Sequence, residues 1–132
     1  MPSPHPAKAN FIPGDRIRFI AHHGKQILLV DLSHCSATEV EKVFRELPGV
    51  VTTHPRGSLL ILSDFTGASV DEEAMRVMKE TAVFDKPYVK KSASVAAGKI
   101  PSEFVDMVQN FSRRDFPAFK TREDALEWLV ED

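Results

Sequence analysis

Chemistry in this chain has few places to reside. The apolar run Leu59-Leu60-Ile61-Leu62 stops abruptly at Ser63-Asp64-Phe65-Thr66-Gly67-Ala68-Ser69. An acid, hydroxyls and a glycine at that point suit a loop that does chemistry, a switch that another protein reads, or the joint between a strand and a helix. The plainest role of Asp64, Thr66 and Ser69 is the last, in which their side chains satisfy backbone donors left over between the elements. Asp31 closes the other greasy segment, "QILLVDL". In open α/β sheets, such strand ends face the binding crevice. A receiver-like phospho-aspartate site would need an acidic pair and a lysine at neighbouring strand ends. "VDLS" brings a single acid, and Lys99 is only loosely placed.

The other reactive side chains point to structural roles. A cysteine nucleophile needs a base within hydrogen-bonding reach and a third group to orient that base. His34 and Cys35 are chain neighbours, which seldom aim at each other in that way, so Cys35 reads as structural. His22-His23 falls in a tight turn, and His5 and His54 are scattered. None has H-x₃-H or C-x₂-C spacing, so the expectation is solvated loop histidines and no metal. Lys86, Lys90, Lys91, Lys99, Arg113 and Arg114 lack the interleaved aromatic rings that stack on bases. They read as a solvated face. Met75, Met78, Phe104, Met107 and Phe111 are adaptable apolar residues that suit a groove for a small apolar ligand. Each helix must also bury one face on a sheet, and that need accounts for most of them. No catalytic signature stands out, and no enzyme and no cofactor are expected.

The elements that must position these residues follow from composition and period. The chain has 132 residues, 42% hydrophobic and 27% charged, with a net charge of −2. That is enough for one domain with a real core, and nothing in the charge suggests a coat for nucleic acid or an anionic membrane. The single cysteine excludes an intrachain disulfide and fits a reducing compartment. The start, "MPSPHPAKANFIPGD", has no apolar core of the secretory kind. The longest apolar run is far short of the roughly 20 residues that span a bilayer. A cytoplasmic protein is the expectation. Residues 1–14 form a proline-rich arm, and 15–132 one α/β domain.

Within that domain "RIRFIA" alternates as a half-exposed strand does. "HHGK" is a turn, and "QILLVDL" is apolar without a break, as a strand covered on both faces is. Ser36-Ala37-Thr38-Glu39 is a capping box, opening a helix that Pro48-Gly49 should end, with "VVTT" extended beyond it. Ser69-Val70-Asp71-Glu72 has the same form and should open the next helix. "YVKKSASVAAG" is another strand. A third helix should open at Pro101 or Ser102, with Phe104, Val105, Val108 and Phe111 inward. Pro117 places "FPAFK" at a sheet edge, and Thr121 caps a last helix. The order implies a mixed, mostly parallel five-stranded sheet with about four helices and an opening β-hairpin.

"GKQILLVDLS", "LLILSDFTGAS", "KKSASVAAG" and "FKTREDALEWL", in that order, resemble the SpoIIAA-like STAS/CRAL-TRIO-type family of small bacterial proteins, over about Arg16 to Leu129. The resemblance implies a STAS-like fold without known catalysis. In anti-sigma-factor antagonists of this kind, the loop after the central strand reads Asp-Ser-Ser-Gly, and a kinase phosphorylates the second serine to toggle partner binding. The matching positions are Asp64, Phe65, Thr66 and Gly67. Thr66 keeps the hydroxyl, whereas Phe65 departs from the pattern, and the helix starts later. Phosphorylation there would add nearly two negative charges near a helix N-terminus. The expected function is a non-catalytic regulatory or protein-interaction module, its contact surface around Thr66, Asp64, Gly67 and Ser69. Its partner would be a protein of the kinase or anti-sigma kind. The alternative is a carrier or sensor of a small apolar ligand or lipid, since CRAL-TRIO-type relatives hold lipids. A homodimer through the arm is a further option; no nucleic acid and no membrane span are expected.

Overall fold

The two greasy segments lie side by side. In the computed structural model, which describes residues 11–95 and 117–131, β1 (Ile17–His22) and β2 (Lys25–Asp31) form an antiparallel hairpin. A helix α1 (Ala37–Val51) leads to β3 (Leu59–Asp64), and α2 (Glu72–Asp85) leads to β4 (Val89–Val95). The short strand β5 (Ala118–Phe119) is followed by α3 (Arg122–Val130). The strands stand in the order β1-β2-β3-β4-β5, and every pair after the hairpin is parallel. This is the mixed, mostly parallel sheet that the alternation of strands and helices implies, with β3 at its centre and the Pro117-flanked strand at its edge.

Alternation along the strands divides the core. Leu28, Val30, Leu59 and Ile61 face α1 and α2, where they pack with Val40, Phe44, Leu47, Val77 and Met78. Ile27, Leu29, Leu60 and Leu62 face the other way, onto Ala125 and Leu129 of α3. Both sides of β2 and β3 are therefore sealed, and this is why their sequences carry no polar alternation until the acids at their ends. No helix among the described residues is long and apolar enough to cross a membrane.

Helix boundaries depart from expectation in two places. The Ser36–Glu39 capping box forms, with the Glu39 amide donating to Ser36 Oγ at 3.2 Å and the Ser36 amide to Glu39 Oε1 at 2.9 Å. But α1 does not stop at Pro48-Gly49. It runs to Val51, so "VVTT" is helix end and turn rather than an extended piece. Leu47 and Val51 continue the buried stripe of Val40 and Phe44, and that burial outweighs the cost of the proline. Proline leaves the Phe44 carbonyl without its helical donor. The Thr81 hydroxyl of α2 reaches that oxygen at 3.4 Å. The second departure is at α2, which opens at Glu72 with Asp71 as its cap, accepting from the Ala74 amide at 2.8 Å. Ser69 is not the cap, and the amide that a capping box would offer to Glu72 is committed instead to the Cys35 carbonyl at 2.9 Å.

The described residues contain three α-helices against the four expected. The remaining one, with Phe104, Val105, Val108 and Phe111, falls outside the described residues. So do His5, Lys99, Met107, Arg113, Arg114, Phe116 and most of the proline-rich arm.

Candidate functional site

The ends of β2 and β3 carry the same small structure twice. Asp31 and Asp64 are register partners on adjacent parallel strands. Asp31 Oδ1 accepts from the Ser33 amide at 3.1 Å and from the Ser33 hydroxyl at 2.6 Å. Asp64 Oδ1 accepts from the Thr66 amide at 2.9 Å and from the Thr66 hydroxyl at 2.6 Å. Each turn is an acid, a buried apolar residue and a hydroxyl residue: Asp31-Leu32-Ser33 and Asp64-Phe65-Thr66. An aspartate bonding the backbone two residues on is what stabilises such turns. The loops stay zipped together beyond the strands. The Leu32 amide donates to the Asp64 carbonyl at 2.9 Å, and the His34 amide to the Thr66 carbonyl at 2.8 Å.

Arg122, the first residue of α3, closes the rim. Its Nε donates to Asp64 Oδ2 at 2.5 Å, and its Nη2 lies 3.3 Å from Asp31 Oδ1. Arg16 Nη1 donates to the carbonyls of Asp31 and Ser33 at 3.2 and 3.1 Å, and Arg18 Nη1 stands 3.8 Å from Asp31 Oδ2. Burial is the largest single influence on the Asp31 carboxyl and pushes its pKa up. The Ser33 hydroxyl and amide, with the charges of Arg122 and Arg16, outweigh it and hold the group below its ordinary value. Arg122 is likewise opposed by burial but is held more firmly protonated by its bond to Asp64 and the charge of Asp31. The rim is thus an ionic clamp in which one guanidinium spans two carboxylates.

Gly67 follows with φ +69°, and a Cβ there would come within 2.4 Å of His34 Nδ1. The His34 backbone is itself left-handed, at φ 60°. The two loops therefore interlock, one glycine under one imidazole. The structure brings Asp64, Thr66, Gly67 and Ser69 together on this rim beside Asp31. Thr66 is half-buried and Ser69 exposed.

Arg122 was not singled out in the sequence, although a signal exists: a basic residue in the first turn of a helix opposes the helix dipole. Phe65, where a serine stands in the Asp-Ser-Ser-Gly pattern, is buried and stacked on Phe44 with ring centroids 6.3 Å apart. Cys35 is buried too, and burial pushes its thiol pKa up, the reverse of what a nucleophile needs. Of the candidate groove residues, Met78 lies in the core with 2% exposure and Met75 packs at its border. Phe104, Met107 and Phe111 lie outside the described residues.

The same architecture is found in a solved structure. An uncharacterized protein of the DUF3478 family with a SpoIIAA-like fold, from Shewanella loihica PV-4, superposes with a TM-score of 0.67 over 86% of this chain and 92% of that one. The fold is SpoIIAA-like. At 16% identity the likeness is one of fold. No family model matches the chain, and no curated protein matches it.

Proposed function

We propose that the chain is a non-catalytic regulatory module that binds a protein partner through the rim of its SpoIIAA-like fold, and that Thr66 is the residue at which the contact is switched, as in the STAS family it resembles. The observation that carries the proposal is the Arg122 clamp. The Thr66 hydroxyl spends its proton on Asp64 Oδ1, the other oxygen of which is held by Arg122. A phosphate on that hydroxyl removes the donor and sets nearly two negative charges beside Asp64. Arg122 is a nearby cation able to answer them, because a guanidinium pairs as readily with phosphate as with carboxylate. Transfer of Arg122 from Asp64 to the phosphate exchanges one charge-assisted contact for another. It leaves a partner seated on the rim facing an added anion, the burial of which costs several kcal/mol.

Incubation of the protein with ATP and lysate of its native cells, followed by phosphosite mapping, tests the switch. Phosphate on Thr66 is expected. A partner captured by the unmodified chain should be released by Thr66→Glu and retained by Thr66→Val. Phosphate found solely on other residues, or a partner indifferent to Thr66→Glu, refutes the reading.

A further inference from the structure

At the opposite end of the sheet, two histidines and a glutamate converge on one point. His22 closes β1 and His23 opens the turn to β2, while Glu127 stands on α3, 105 and 104 residues further along. His22 Nε2 lies 2.6 Å and His23 Nε2 2.8 Å from the same oxygen, Glu127 Oε2. The ligand atoms of all three residues fall within 4.8 Å of one another.

We propose that His22, His23 and Glu127 form a binding site for a divalent transition-metal ion, Zn²⁺ being the best fit, that ties the hairpin tip to α3. The donor set is two imidazole nitrogens and one carboxylate oxygen, which suits zinc and its neighbours rather than the all-oxygen cages of magnesium or calcium. A tetrahedral ion with bonds of about 2.0–2.2 Å needs donor atoms separated by about 3.3 Å. The two nitrogen-to-oxygen gaps must open by only about 0.5–0.7 Å to admit it, a change within reach of side-chain rotation.

The backbone is arranged for convergence. Successive side chains in a strand point to opposite faces, so neighbouring histidines do not normally share a ligand. Here His23 is left-handed, at φ 50°, and Gly24 follows at φ 78°. This two-residue turn is one in which Asn-Gly is the usual pair. The turn swings the His23 ring beside that of His22, edge-on with centroids 4.3 Å apart. Lys25, the next residue, is drawn off to the C-terminal end of α3, where its Nζ donates to the Val130 carbonyl at 3.0 Å. The side chains of His23 and Glu127 are 63% and 54% exposed. The ion therefore has an open approach and a position left for water, the arrangement of zinc sites with three protein ligands.

The untagged 132-residue chain, stripped with EDTA and titrated with Zn²⁺ alone, tests the site. Calorimetry should show one stoichiometric step, with a rise in melting temperature. Imidazole ¹⁵N spectra should show His22 and His23 shifting while His34 and His54 stay in place. His23→Asn, which suits the left-handed turn, and Glu127→Gln should each abolish the step; His54→Ala should keep it. Absence of a stoichiometric step in the natural chain, shifts confined to other histidines, or an undiminished step in both His23→Asn and Glu127→Gln overturns the proposal. The spectra are read on the natural chain and stand even if a variant fails to fold.

Discussion

Arg122→Met removes the clamp while keeping a long apolar stem on α3. Asp31 and Asp64 end adjacent strands, so their carboxylates stand about 5 Å apart. At an effective dielectric constant of about 20, two like charges at that distance repel by about 3 kcal/mol. Each acid keeps the donors of its own turn, and Asp31 also keeps Arg16 and Arg18 close by. Asp64 is the one left exposed to the loss, since its side chain is only 5% accessible and Arg122 is the cation bound to it. Arg122 is 39% accessible, so solvent screens part of the effect. Removing a cation from a helix N-terminus also returns about 0.3–1 kcal/mol. The net expectation is a loss of about 2 kcal/mol. In urea, followed by circular dichroism, the midpoint should fall by about 1 M with the slope unchanged. Asp64→Asn supplies the critical control, because the amide oxygen it introduces can still accept both Thr66 bonds. Placed in the Arg122→Met background, it should recover about 1 kcal/mol or more. A loss under about 0.5 kcal/mol, or a double variant whose losses simply add, would show that the guanidinium is a solvated bystander and would remove the physical basis of the switch.

The Asp31 carboxyl has its pKa held below the ordinary 3.8, so the unfolded chain takes up its proton first as acid is added. The stability it contributes is complete above pH 3.8 and drains away below it, and Asp31→Asn should flatten that part of a plot of melting temperature against pH. Gly67→Ala forces a Cβ into a left-handed residue and against the His34 ring. It should cost about 1–2 kcal/mol by urea unfolding. Because the exposed ring can swing aside, His34→Ala should relieve little of that cost.

The sheet was legible because burial on both faces erases alternation. "QILLVDL" and "LLILSD" carry the unbroken apolar runs Ile27 to Val30 and Leu59 to Leu62 ahead of their acids, and only an inner strand tolerates that. Pro117 marked the edge for the opposite reason, as it cannot donate to a ladder. What escaped was whatever depends on a contact distant in sequence. Pro48 reads as a stop unless Thr81 is known to reach the carbonyl it leaves free. Ser69 reads as a cap unless its amide is known to be held by Cys35. Arg122 looks like one of several charges in "KTRED", and its two partners lie 58 and 91 residues earlier, on different strands. The hairpin histidines show no metal spacing because their third donor comes from the last helix. Residue types announced local structure, and pairings across the fold, which carry the candidate sites, left only faint traces.

Phe65 limits how the rim can move. Its ring is anchored in the core, and its amide is tied to the Val95 carbonyl at 2.7 Å. A loop carrying two serines there could peel away from the sheet as one flexible piece. This one is riveted one residue before Thr66, and the Thr66 carbonyl and the Ser69 amide are held by His34 and Cys35 of the neighbouring loop, so any rearrangement is coupled to the loop after β2. A signal received at the threonine would then pass sideways to that loop and leave the centre of the sheet at rest.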